Sequence, residues 1–225
     1  MIKVKYFILF AALILFGYSA QSQSEGISFR LHSGLNLQTF KGMGMNGDKL
    51  SLNIVPRFNV GVMIDFPIVS DLYIKSGLLF TTKGAKSNQF PGTDISVEYN
   101  IAYVELPLNF LFKAALGKGH LLLGFGPYIA YGIVGSAEYT INNTTVSERV
   151  DFTNAYKSLN PLVWNKIKPF DYGGNLLFGY ELKSGFSWQM NTQMGLAKIN
   201  TDNSMLSSKE IFNNLGYGLS IEYKF

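Results

Sequence analysis

The chain alternates. In eight separate stretches every second residue is large and apolar, and the residues between are small or polar. The last stretch, NLGYGLSIEYKF, shows the pattern most cleanly. Leu215, Tyr217, Leu219, Ile221, Tyr223 and Phe225 are interleaved with Gly216, Gly218, Ser220, Glu222 and Lys224. Successive side chains of a strand point to opposite faces, so this period makes one face bulky and the other spare. A helix cannot hold such a pattern on one side. Nearly half of the 225 residues are hydrophobic, only 15% are charged, and 23 are Gly. That balance excludes a disordered chain or a coiled coil and suits β-structure.

The other seven stretches repeat the design. The first sets Ile27, Phe29, Leu31, Leu35 and Leu37 against Arg30, His32, Gly34, Asn36 and Gln38. The second sets Phe58, Val60, Val62, Ile64 and Phe66 against Arg57, Asn59, Met63 and Asp65. Leu72, Ile74, Leu78 and Phe80 oppose Tyr73, Lys75, Gly77 and Thr81 in the third; Leu106, Leu108, Phe110 and Phe112 oppose Glu105, Pro107 and Asn109 in the fourth. The fifth, sixth and seventh center on HLLLGFGPYIAYGIV, FDYGGNLLFGYEL and FSWQMNTQMGL. Connections after even-numbered strands are short: PIVSD, ALGKG and ELKSG. Those after odd-numbered strands are long and polar, at 41–50, 84–96, 136–167 and 199–210. Strict short–long alternation means that the two ends of the sheet meet different surroundings, as in outer-membrane barrels.

The bulky phase decides the solvent. Eight closed strands enclose little more than side-chain volume. Gly, Ser, Asn and Gln fit that interior, so the large residues must point outward. In water they would form an apolar surface far beyond what a monomer tolerates; in lipid they are at home. No apolar run after the N-terminus is long enough for a membrane helix, whereas a closed barrel also satisfies every backbone group inside a bilayer. The expected fold is all-β: an eight-stranded antiparallel up-and-down transmembrane β-barrel spanning 23–225. Residues 1–22 are expected to be a signal peptide, with Lys3 and Lys5 before an apolar run and small residues near Ser22. The total lack of Cys removes lipid acylation, disulfides and thiolate chemistry. The net charge of +4 falls further with the leader, so nucleic acid is not an expected partner.

Charged residues in the inward phase are expected to pair across the lumen, because single buried charges are costly. Arg30, Arg57 and Lys75 are the cations, with Lys224 at the end of the last strand; Asp65, Glu105, Asp171, Glu181 and Glu222 are the carboxylates. Aromatic girdles are expected at both rims. Phe66, Tyr180, Phe186, Trp188, Tyr223 and Phe225 mark the short-turn end, and Phe40, Phe80, Phe170 and Tyr172 the other. Pro56, Pro107 and Pro127 fall inside strands, where they predict bulges. A last strand that pairs with the first lets the chain end within the sheet. Its terminal aromatics, Tyr223 and Phe225, resemble the signal that addresses barrels to their insertion machinery.

YVELPLNFLFK (103–113), LLLGFGPYIAYGI (121–133), FDYGGNLLFGYEL (170–182), LGYGLSIEYKF and the early RLHSGLNLQTF together resemble the PorT-like outer-membrane β-barrel family. The resemblance spans essentially the whole mature chain. It implies the outer membrane of a Gram-negative bacterium, and no catalytic motif comes with it. Only two His are present, His32 and His120, and no HExxH or spaced carboxylate loop accompanies them. No catalytic residue, metal or cofactor is therefore expected. GFGPY (124–128) resembles a phosphate loop but lies in a strand with no helix after it. The expected role is structural, adhesive or assembly-partner, exerted through the long connections, with both termini periplasmic and lipid around the wall. Segment 136–167 is the candidate surface for a protein partner, with Tyr156 and Trp164 as candidate anchors. The alternatives are a lipid-directed enzyme and a narrow pore or carrier for small solutes.

Overall fold

The computed structural model describes residues 26–44, 47, 49, 52–88, 95–142, 144–157, 165–203 and 210–225. The expected leader, residues 1–22, and Trp164 lie outside them. Eight antiparallel strands close on themselves: β1 (Ser28–Met43), β2 (Val55–Val69), β3 (Leu72–Lys83), β4 (Ser96–Leu116), β5 (Gly119–Ile141), β6 (Phe170–Leu182), β7 (Phe186–Gly195) and β8 (Ile211–Lys224). Each pairs with the next in sequence. The ring is closed by β1 against β8, from Arg30↔Lys224 to Met43↔Ile211. All-β architecture with an up-and-down ring is thus the fold that the alternation demanded.

The two phases separate as the solvent argument requires. Outward residues such as Leu35, Leu176 and Leu219 stay 71%, 63% and 56% exposed, while inward Arg30, Asp65 and Lys75 are 1%, 0% and 1% exposed. The inversion of a soluble core is complete: apolar side chains coat the outside and charges fill the middle. Tight turns join β2 to β3, β4 to β5 and β6 to β7 at one end. Asp71 (φ 67), Gly117 (φ 59) and Gly185 (φ 85) supply the left-handed backbone that such reversals need. The long connections leave the ring at the other end, after Met43, Lys83, Ile141 and Gly195.

Three local expectations are corrected. The stretch 136–167 is not loop throughout. β5 continues to Ile141, the chain reverses at Asn142 (φ 46), and Thr144–Arg149 runs back along Ser136–Ile141. At 21 and 23 residues, β4 and β5 are about twice the ~9–11 residues that cross a bilayer. Beyond the lipid both faces can be polar, so the alternation that marks a strand fades there. Phe40 does not join a girdle: it is in the inward phase of β1 and only 2% exposed. Pro56, Pro107 and Pro127 cause no shift of register. At Pro107 the β3–β4 ladder omits pairs between Ser76↔Leu108 and Leu79↔Glu105 and resumes unshifted, while Ser76 Oγ donates to Pro107 O at 2.8 Å. The shifts fall at Pro67/Val69 and Ala102/Tyr103. Finally, the girdles are tied locally: Tyr180 donates to Leu116 O at 2.8 Å, and Tyr223 and Phe225 meet edge to face at 5.3 Å.

Leu219 lies on the outer wall between Leu35 and Met190. Leu219→Arg should cost about 2–4 kcal/mol if that wall faces mid-bilayer. Denaturant unfolding in lipid vesicles measures it; a loss no greater than that of Leu219→Ala would contradict a lipid-facing position.

Candidate functional site

The inward phase builds three polar layers. Nearest the short turns, three cations meet three carboxylates contributed by six different strands. Arg30 donates through Nε to Asp65 Oδ2 at 2.6 Å and through Nη2 to Glu181. Lys113 Nζ reaches the same Asp65 oxygen at 2.7 Å, and Lys75 Nζ donates to Glu222 Oε2. Lys113 also sits 4.2 Å above the Tyr73 ring. The charges balance, so no member of the layer is buried without an opposite charge. Lys224 stands at the rim, 3.7 Å from Glu181 and part exposed.

The middle layer is amide-rich. Asn36, Gln38, Asn59, Asn109, Gln189 and Gln193 face a cavity of about 50 Å³, room for a few ordered waters. Above it Lys83 is fully buried, 2.9 Å from Glu105 Oε2 and 3.0 Å from Asp171 Oδ2. Tyr128 Oη and Asn214 Nδ2 also donate to Asp171 Oδ2, at 3.0 and 2.9 Å, and Gln193 Nε2 donates to Glu105 Oε1 at 2.8 Å. Of the charges expected in the lumen, seven lie in these layers. Arg57 does not. It is the third residue of β2, at the mouth, where it donates to Glu98 Oε1 at 3.1 Å and Tyr99 O at 2.8 Å. The expectation missed Lys83, Lys113 and His32 as network members. The first two continue the inward parity of Tyr73–Lys75–Thr81 and Glu105–Asn109, so strand phase alone could have found them.

The mouth is covered. Phe40, Tyr99, Ile101, Val150, Ile167, Ile199 and Phe212 form an apolar cluster above the upper charges. Two connections supply its roof. Asp151–Phe152 pairs with Lys166–Ile167, Ala155–Tyr156 pairs with Asp202–Asn203, and Ile167 bridges to Asn200. Backbone bonds fasten this lid to the rim: Gly132 N–H to Pro169 O at 2.7 Å, Lys168 N–H to Ile199 O at 2.7 Å, Ile199 N–H to Phe212 O at 2.8 Å. Gly132 is required here, because a Cβ would lie 2.3 Å from the Phe152 ring. Outside, Lys168 and Lys198 clamp Asp202 at 2.7 and 2.6 Å and hold its carboxyl below the usual range. Tyr156 is half-buried within the lid's ladder and is not a free anchor. Among the described residues no group of three His, Asp or Glu is arranged to hold a metal. His120 sits at the short-turn end, and His32 is inside the lumen between Glu222 and Asn59.

Two outcomes test this construction. Asp65→Ala takes the hydrogen-bonding carboxylate from Lys113 and one of two from Arg30, leaves the layer with one uncompensated buried charge, and should cost about 3–5 kcal/mol. Glu98→Ala, at a part-exposed pair, should cost no more than about 1 kcal/mol; thermal unfolding in detergent compares them. The second concerns Glu210, which precedes β8 beneath the lid. Burial pushes its carboxyl up to about 7, against the opposing pull of Lys198; Tyr99 and Tyr156 also face it. Below the ordinary carboxylate range both the closed and the opened lid hold the proton. Between there and about 7 only the closed lid does, so closure weakens as pH rises and levels off above 7. Amide exchange at Ile199 and Phe212, corrected for intrinsic rates, should show more frequent opening at pH 8 than at pH 6, and Glu210→Gln should remove the difference.

A family model described as outer membrane protein beta-barrel domain matches residues 19–201. No curated protein matches the chain. Among solved structures it is similar to Ail, the attachment invasion locus protein of Yersinia pestis, at 10% identity over 90% of this chain and 100% of that one, TM-score 0.37. It is similar to the Neisserial surface protein A, NspA, at 12% identity over 89% and 100%, TM-score 0.42. OprG of Pseudomonas aeruginosa is 10% identical over 89% and 96%, TM-score 0.44. With more than three quarters of its length matched by the family model, a closed eight-stranded ring and an apolar outer wall, the chain belongs to the outer membrane protein beta-barrel domain family.

Proposed function

We propose that this protein is a sealed membrane anchor that presents an ordered surface outside the cell, acting as an adhesive or assembly component and not as a channel or an enzyme. The observation that carries this reading is the lid: an apolar roof over a lumen already filled by paired charges. A pore needs a continuous aqueous path, and here the mid-lumen cavity of about 50 Å³ lies between the Arg30–Asp65–Glu222 layer on one side and Lys83 under the roof on the other, which supports a lumen that does not conduct. What remains available to a partner is the outside of the lid and the hairpin rising beside it, where Ile141 and Val146 are exposed. The strand motifs around Glu105, Tyr128 and Asp171 support membership of the PorT-like branch. With the short turns, the start of β1 and the end of β8 at one end, the reading puts that end in the periplasm and Tyr223 and Phe225 at the inner rim.

Three measurements check it. The protein in a planar bilayer should give no steady ohmic current. Protease added to intact cells should cut between Thr144 and Tyr156 before it reaches Gly117–Lys118; the reverse order would invert the orientation. A photoreactive residue at Val146 should give protein adducts in living cells, while one at Leu219 gives none. A stable open channel would move the pore reading ahead of this one.

A further inference from the structure

The strand Thr144–Arg149 is paired on one side. It runs antiparallel to Ser136–Ile141, which itself runs beside Ser96–Asn100 of β4. Among the described residues Thr144–Arg149 ends the sheet, and all six of its residues are exposed. Val150 N–H donates to Gly135 O at 2.8 Å, which makes Gly135 and Val150 a hydrogen-bonded pair. Such pairs alternate with non-bonded ones along an antiparallel ladder. Ala137↔Glu148, Tyr139↔Val146 and Ile141↔Thr144 therefore belong to the bonded set. Thr145, Ser147 and Arg149 turn their N–H and C=O groups the other way, out of the hairpin. Every second residue of the edge thus offers one donor and one acceptor to an added strand.

The side chains give this edge two unlike faces. Ala137 belongs to the roof cluster and Tyr139 packs against it, so that face of the hairpin looks toward the lid. Val146 and Glu148 lie on the same face, where the Tyr139 hydroxyl donates to Glu148. Thr145, Ser147 and Arg149 lie on the other, where the Thr140 and Thr145 hydroxyls meet at 2.9 Å. The register is unbroken from end to end, and the edge carries neither the proline nor the lysine that commonly blunts a free strand. Its two charges, Glu148 and Arg149, sit at one end and on opposite faces.

We propose that Thr144–Arg149 is a strand-addition site, at which an extended segment of a partner protein pairs antiparallel through the backbone of Thr145, Ser147 and Arg149. On the lid side that segment carries an apolar residue opposite Val146 and a cation opposite Glu148. The occupant is a polypeptide because a straight row of alternating N–H and C=O groups is matched by another backbone. The site deepens the outward-facing role and rests on that reading for the partner's place outside the cell.

Amide exchange on the full chain in detergent micelles tests it. In the free protein the amides of Val146 and Glu148 should be protected, while those of Thr145, Ser147 and Arg149 exchange quickly. The probe is a short acetylated threonine peptide with lysine second and isoleucine fourth, which puts lysine opposite Glu148 and isoleucine opposite Val146. Adding it should slow exchange at Thr145, Ser147 and Arg149 and leave Val146 and Glu148 as they were. A methyl on the peptide's third backbone nitrogen, which faces Ser147, should abolish the effect; a methyl on the second, which points away, should not. Ser147→Pro removes one outward N–H and spares the hairpin's own ladder, since proline is tolerated where that N–H faces solvent; it too should abolish the effect. Glu148→Lys should weaken the lysine peptide about two- to fivefold, the worth of one cross-strand pair, and a glutamate in place of the lysine should restore it.

The proposal is overturned if Thr145, Ser147 and Arg149 are already protected in the free protein, if the peptide leaves them unprotected, or if the two methylated peptides act alike. Self-association that protects the same three amides without peptide also overturns it, and assigns the edge to a second copy of this chain. The wild-type exchange pattern and the methylated peptides decide the matter even if a variant does not fold. They are independent of orientation: a protease order that put the lid in the periplasm would overturn the outward reading and leave the strand-addition site standing.

Discussion

Closure of β1 onto β8 is the constraint on which everything else rests. A bilayer offers no water to unpaired N–H and C=O groups, so an open sheet edge inside it is prohibitively costly. The ladder from Arg30↔Lys224 to Met43↔Ile211 removes both edges at once. It also fixes the number of strands and hence the width of the interior. A ring of eight is too narrow for bulky residues on both faces. The large side chains were therefore assigned to lipid, and Gly, amides and charges to the lumen.

That narrowness explains why charge can serve as filling. Arg30, Lys75 and Lys113 meet Glu181, Glu222 and Asp65 on strands that they do not hydrogen-bond with, so each of these ion pairs is also a brace within the ring. Buried pairs are weak evidence for stability in a core that could be apolar instead. Here the alternative is different. An apolar lumen would make both faces of every strand alike and would weaken the register, because a one-residue slip would no longer carry charge into lipid. The polar interior thus supports specificity as well as packing, and it leaves a small cavity lined by amides and His32.

The lid follows a different logic from the barrel. Beyond the bilayer the outside is wet again, so apolar residues return to the inside. Phe40 and Phe212 belong to the same inward phase as Arg30 and Glu222, yet they lie in the apolar cluster under Ile167 and Ile199. Within one strand the inward face is ionic in the membrane and aromatic above it. The lid closes the mouth with the kind of core that a small soluble domain uses, and its short ladders and the Lys168–Asp202–Lys198 clamp tie two connections into one surface.

Sequence alone determined which residues face lipid, because a period of two divides a strand into faces wherever one face is uniformly bulky. It determined the strand order and the two unlike ends, because tight turns and long connections alternate along the chain. It could not decide which charges meet. Arg30 and Glu181 are 151 positions apart, and their contact depends on ring width and stagger, which no local pattern encodes. Arg57 shares the parity of the lumen residues but sits two residues too near the mouth, and only the register shows it. The lid was hidden for the same reason: outside the membrane the alternation loses its contrast, and long polar segments read as loops until the folded rim beneath them gives their few apolar residues, Phe152, Ile167 and Ile199, something to cover.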